Sequence, residues 1–178
     1  IWNGSLQSEY FNKASWQVHP LSLLLLKISI DIKVEIDSKN KLNANAEMNP
    51  FNTLELNNIN GVLTSQYLQQ FLPSTPLLFS SSINIDQTNA KWSSQLPPNT
   101  PSKAEGSLTF EKVNFLGENL GNYRLNFVYF DRSLSGDISS TASSAVEASL
   151  KLNISNSKLL TLDGEIFPKT KGLQSIFR

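Results

Sequence analysis

The stretch Leu24-Leu25-Leu26-Lys27-Ile28-Ser29-Ile30-Asp31-Ile32-Lys33-Val34-Glu35-Ile36-Asp37 decides the fold class. Leu24, Leu26, Ile28, Ile30, Ile32, Val34 and Ile36 occupy every second position, and the residues between them are mostly polar or charged. Period-two alternation of this kind places one set on a buried face and the other in water. At about 3.3 Å per residue, such a strand would span roughly 45 Å. Ordinary strands hold about 5–6 residues. A strand this long must twist strongly, which predicts a long curved sheet rather than a compact sandwich.

Working outward, Ser38-Lys39-Asn40-Lys41 reads as a turn, and Leu42, Ala44, Ala46 and Met48 continue the alternation. The two arms form a long hairpin that ends at Asn49-Pro50. Leu54, Leu56 and Ile59 fall in an Asn-rich connection that closes at the turn signal Asn60-Gly61. Leu63–Leu72 is the expected helix, with Ser65 as its cap, a Leu68, Phe71, Leu72 stripe, and Pro73 as its stop.

Strands resume at Leu77–Thr88, with a further short strand at Ala90–Leu96 around Trp92. Pro97-Pro98-Asn99-Thr100-Pro101 is the clearest break. The chain reads as a single β domain over 1–178, with a division into two strand meanders placed near 97–103. Gly106–Phe115, Asn122–Phe130, Leu134–Ser140, Val146–Ile154 and Leu159–Phe167 read as successive strands, with tight turns at Asp131-Arg132 and Asn156-Ser157. The expected fold is all-β: a long, strongly curved antiparallel meander with one short helix. A two-sheet β-sandwich is the alternative.

The chain has 178 residues, with 15 basic and 15 acidic side chains. A formal net charge of +0 removes the electrostatic term behind most nucleic-acid binding, so no nucleic-acid partner is expected. No Cys is present, which excludes disulfides, thiolate metal sites and a cysteine nucleophile. His19 is the single histidine, so neither a histidine metal centre nor a catalytic triad is expected, and His19 reads as structural or solvated. Asp31, Glu35 and Asp37 interleave with Lys27 and Lys33 as a self-compensating wet face. The Ser runs lack a nucleophile elbow, and Gly117–Gly121 is a loop or bulge rather than a phosphate cradle. No catalytic residue, cofactor or metal is assigned, and the chain is read as a non-enzyme.

No run approaches the roughly 20 apolar residues of a membrane helix. The chain starts at Ile1, which leaves a targeting or anchoring segment upstream as an expectation. The row Leu26, Ile28, Ile30, Ile32, Val34 and Ile36 is either a covered core face or an apolar groove for a lipid or partner segment. One short helix is too little to cover a whole sheet face, which keeps the groove reading open.

Trp2-Asn3-Gly4, followed by Trp16-Gln17-Val18-His19-Pro20-Leu21-Ser22-Leu23-Leu24, resembles the opening of the type II secretion system protein N family, also called general secretion pathway protein N. In that family a Trp-x-Gly element precedes a Trp-x-hydrophobic-x-Pro-x-x-Leu-Leu element. Trp2, Gly4, Trp16, Pro20, Leu23 and Leu24 carry the match. Gly164 followed by Pro168 is similar to the family's closing strand.

The resemblance implies a periplasmic domain of a Gram-negative bacterium, anchored in the inner membrane by a helix upstream of this chain. It implies an accessory structural or assembly component of the secretion machine, docking on other secretion components by strand addition or an apolar patch. A carrier or sensor of a lipid-like ligand is the alternative.

Overall fold

The computed structural model describes residues 2–50, 53–70, 82–93, 101–115, 118–141, 144, 146–154 and 160–169. The expected break at 97–101, the expected turn at 156–157 and the end of the expected helix lie wholly or largely outside them. Eleven strands run in chain order: β1 (Asn3–Ser8), β2 (Phe11–Val18), β3 (Ile28–Glu35), β4 (Lys41–Met48), β5 (Thr53–Thr64), β6 (Ser82–Ser93), β7 (Lys103–Phe115), β8 (Glu118–Phe130), β9 (Ser133–Ser140), β10 (Val146–Ile154) and β11 (Leu160–Pro168). Each pairs with its neighbour in sequence, antiparallel, in a single sheet ordered β1 to β11. This is the expected all-β meander, and the two-sheet sandwich is ruled out. The sheet does not close on itself, so β1 and β11 are its two edges.

Among the described residues there are two short helices where one was expected. A 3-10 helix spans Pro20–Leu25, and helix α1 spans Ser65–Gln69. Thr64, rather than Ser65, caps α1, its hydroxyl accepting from the Tyr67 amide. The residues before α1 belong to β5. The expected strand over Leu24–Asp37 is shorter in the structure because Leu24 and Leu25 belong to the 3-10 helix, and Leu26 sits beyond it at φ 55. Pro20 starts that helix with its fixed φ and missing N–H. Ile36 lies just past β3, where its amide donates to the Asn40 carbonyl.

β1 and β2 are strands that the sequence reading did not assign. Leu54, Leu56 and Ile59 are also strand residues, not a connection, and Asn60-Gly61 lies inside β5 rather than in a turn. Leu77–Thr88 and Ala90–Leu96 were expected as two strands, but the described part is the single strand β6.

The differences in β5 and β6 share one cause. The register shifts between Leu56 and Ile59, between Asp86 and Asn89, and between Phe110 and Val113. At each place an extra residue enters the strand as a bulge. Asn58, Gln87 and Lys112 are the residues at positive φ there: 53, 47 and 48°. The apolar spacing changes from two to three across each bulge: Leu56 to Ile59, Ile85 to Thr88, and Phe110 to Val113. The bulge therefore keeps the apolar set on one face while breaking the alternation in sequence.

The amides turned out at the bulges are caught by asparagine side chains. The Asn58 amide donates to Asn89 Oδ1 at 2.9 Å, Gln87 to Asn60 Oδ1 at 2.8 Å, and Lys112 to Asn122 Oδ1 at 2.9 Å. A bulged N–H loses its ladder partner, and a short side-chain carbonyl replaces it. This gives three of the chain's asparagines a structural use.

The hairpin turns are closed by local chemistry. Asp131 and Arg132 both have positive φ, 47 and 60°, and link β8 to β9 as expected. At the β3–β4 turn, Asp37 accepts the Lys39 and Asn40 amides at 2.7 Å each. A hydrogen bond from the Asn40 side chain, joined by these two, holds the Asp37 carboxyl below its ordinary range. Asn40 is buried, and its Oδ1 accepts the Thr64 amide at 2.6 Å, tying this turn to the end of β5.

Candidate functional site

Residues directly opposite one another in an antiparallel pair share a face. Following the pairs from Ile30 and Ile32 traces that face across the sheet. On one side, Ile30 faces Val18 and Ile32 faces Trp16. On the other, they face Ala46 and Ala44. Ala46 faces Leu56, which faces Ala90. Ile85 and Ile83 in β6 face Leu108 and Phe110 in β7. Those two face Leu125 and Tyr123 in β8. Leu125 faces Ile138, which faces Leu150. One face is therefore apolar from β2 to β10.

The opposite face is mostly Asn, Ser, Thr and charged residues, with Val62, Val128, Phe130 and Phe167 among them. Its ions are largely matched: Lys27 with Glu47 at 3.0 Å, Lys91 with Glu55 at 2.7 Å, and Lys103 with Glu105 at 2.8 Å. A hollow of about 590 Å³ on that side is lined by Asn45, Glu47, Glu55, Lys91, Lys103 and Glu105 among others. Its charged groups already neutralise one another, so it offers no unmatched charge to a ligand.

The apolar face has no second layer over it among the described residues. Ala46, Tyr123, Val146 and Ala148 are the buried apolar residues there, and no large side chain is fully enclosed. Ile30, Ile32 and Val34 are half-buried, screened by neighbours on the same face. Ile28 is exposed. Of the expected row, Ile28, Ile30, Ile32 and Val34 share this face in β3, while Leu26 and Ile36 lie outside the strand.

Two features interrupt the apolar face. Thr88 is buried, and its hydroxyl has no hydrogen-bond partner. Gly106 lies beneath it, because a Cβ there would collide with the Thr88 side chain. Tyr123 is polar only at its tip, and its hydroxyl donates to the Val146 carbonyl at 3.0 Å. Burial pushes that hydroxyl's pKa up.

At the β1–β2 corner, the indole of Trp16 covers Gly4. Val18 donates to the Trp2 carbonyl at 2.7 Å. His19 follows and leads into the 3-10 helix, which is pinned by Ser22. The buried Ser22 hydroxyl donates to the His19 carbonyl at 2.6 Å and accepts the Ser29 amide at 3.1 Å. His19 Nε2 lies 2.8 Å from Asp31, and Asn45 donates to the same carboxylate at 2.9 Å. The Asn45 bond is the larger cause that lowers the Asp31 pKa, with His19 adding to it against partial desolvation. His19 thus makes a partly exposed contact that ties the start of the 3-10 helix to β3.

Among the described residues, no group of three or more His, Cys, Asp or Glu is placed to hold a metal. No described helix is long and apolar enough to cross a membrane.

The family model for type II secretion system protein N matches residues 1–175. The chain belongs to the type II secretion system protein N family. The family implies a role in type II secretion. No curated protein and no solved structure matches the chain.

Within this protein N chain, the motif residues come together in space. Gly4 and Trp16 are cross-strand partners, Trp2 is bonded to β2, Pro20 opens the 3-10 helix, and Leu23 accepts the Leu26 amide at 3.0 Å. Leu24 is exposed at the same corner. The sequence reading did not anticipate the partnership between Gly4 and Trp16.

Proposed function

We propose that this protein N chain is a non-catalytic accessory component of the secretion machine, working in the periplasm on an inner-membrane anchor. Its working surface is the apolar face of the sheet, which takes up a hydrophobic ligand of the acyl-chain class. The observation that carries this reading is the largely apolar face from β2 to β10, left without a second layer among the described residues. Apolar area left in water forgoes about 25 cal/mol per Å². A face this broad marks a binding surface more than a packing remnant.

Docking on other secretion components is the second reading, and β1 favours it. It is an open edge, and its residues Asn3-Gly4-Ser5-Leu6-Gln7-Ser8 carry no charge to discourage strand addition. The other edge strand carries Asp163 and Glu165.

In-cell photo-crosslinking of the anchored protein tests the first reading. The probe is placed at Ile32 on the apolar face, with a control at Lys33 on the polar face. A lipid adduct from position 32 alone is the expected result. A discrete protein adduct there would move the apolar face to the docking reading, and an adduct only within the chain would make it a core.

A further inference from the structure

We infer that the 3-10 helix at Pro20–Leu25 and the residue after it form a lip that inserts into the interface of a lipid bilayer. Leu21, Leu24, Leu25 and Leu26 are 76, 80, 73 and 75% exposed, and Leu23 is 46% exposed. Their packing contributes little to folding. Yet the segment is held firmly: Ser22 is buried, its hydroxyl bridges His19 and Ser29, and its carbonyl accepts the Lys27 amide at 3.2 Å. Leu26 also adopts a left-handed conformation, φ 55, that a leucine takes only at a cost in strain.

The arrangement selects among partners. In a 3-10 helix every third residue stacks, which gives three ridges. Leu21 and Leu24 form one, Pro20 and Leu23 another, and Ser22 and Leu25 the third. Leucines therefore project from every ridge. A protein groove takes a single stripe of anchors. Hydrocarbon accepts apolar groups from all directions.

The charge distribution agrees. No residue from Pro20 to Leu26 is charged. The nearest ionisable groups on each side are partnered, His19 with Asp31 and Lys27 with Glu47. A surface that presents no charge matches the apolar side of a bilayer interface, where charges are costly. Trp2, half-exposed at the same corner, supplies the aromatic residue that settles at headgroup depth. This surface is separate from the sheet face and stands whether or not that face holds a ligand.

The chain has no cysteine, so a single one reports a single site. Leu24→Cys and Ser38→Cys, each labelled with an environment-sensitive fluorophore, place probes on the lip and at the far end of β3. With vesicles of phosphatidylethanolamine and phosphatidylglycerol, the probe at 24 shifts to the blue and the probe at 38 does not. The unlabelled variant Leu25→Ser/Leu26→Ser keeps the wild-type melt and loses vesicle co-flotation by at least about tenfold, a tenfold loss corresponding to about 1.4 kcal/mol. Equal responses at 24 and 38, or flotation unchanged in the double variant, would overturn the proposal. A blue shift at 24 that grows with protein concentration without vesicles would overturn it too, assigning the lip to a second copy of the chain.

Discussion

The indole of Trp16 lies across Gly4 on the neighbouring strand, where a single added methyl group would collide with the ring. The two residues stand 12 positions apart in sequence and directly opposite in register. A glycine in a strand weakens it unless a large neighbour covers the gap, and here the tryptophan does so. This contact packs β1 against β2 alongside their hydrogen-bonded ladder. Gly4→Ala displaces the indole and is expected to cost about 1–3 kcal/mol. Thermal melting and the tryptophan emission of the variant measure it, and wild-type values in both would refute the packing assigned to this pair.

Ile30 and Ile32 separate an open face from a core. Both are half-buried rather than enclosed. Ile30→Asp and Ile32→Asp are expected to fold, each losing about 1–2 kcal/mol because water still reaches the new carboxylate. For a chain of this size that is roughly 2–4 °C per kcal/mol. A sealed core would lose about 3–5 kcal/mol for each unpaired buried charge and unfold. Circular-dichroism melts decide between these, and a non-native spectrum for either variant would count against an open face.

The asparagine clasps at the bulges are expected to act locally. Asn60→Ala leaves the Gln87 amide without its partner, and Asn122→Ala does the same to Lys112. Both bonds are solvent-exposed, so each loss is expected at about 0.5–1 kcal/mol, the low end for a hydrogen bond. Amide hydrogen exchange should quicken at Gln87 in the first variant and at Lys112 in the second, and neither should affect the other. Unchanged exchange at both amides would mean the clasps are incidental.

Asp31 gives a pH dependence with a definite sign. Its folded pKa lies below the ordinary value of 3.8, first through the Asn45 hydrogen bond and then through His19, opposed by desolvation. The unfolded chain therefore takes up the proton first as pH falls. The stabilisation is complete above the unfolded value and disappears as pH drops through the folded one. The carboxylate is about half exposed, so solvent screening keeps the effect small. Asp31→Asn should flatten the acid limb of a stability-against-pH curve below about pH 5. An acid limb identical to that of the wild type would contradict the assignment.

Much of the meander was legible because alternation is a local signal. Val146–Ile154 reads directly as β10, and Asp131-Arg132 as the β8–β9 turn. β1 and β2 were missed although Ala14, Trp16 and Val18 alternate with Lys13, Ser15 and Gln17. Two of the bulged strands were misread for a different reason, whereas Gly106–Phe115 was read as one strand through its bulge. Leu56-Asn57-Asn58-Ile59, Ile85-Asp86-Gln87-Thr88 and Phe110-Glu111-Lys112-Val113 each put two polar residues between face residues, which looks like a break in the pattern. Recurring in three consecutive strands, that spacing was the available sign of a line of bulges. The 3-10 helix was taken into β3 because Leu24 and Leu26 happen to fall in phase with Ile28.

The sequence by itself determined the strand-rich class, the division of residues into an apolar and a polar set, and the family, because composition, period and motif are properties of neighbouring residues. Only the tertiary structure decided that all eleven strands pair in one open sheet, and that Gly4 meets Trp16. It alone decided that the apolar set carries no second layer among the described residues. Whether an apolar face is covered depends on where distant segments pack, and a period-two pattern reads the same beneath a lid as it does open to a ligand.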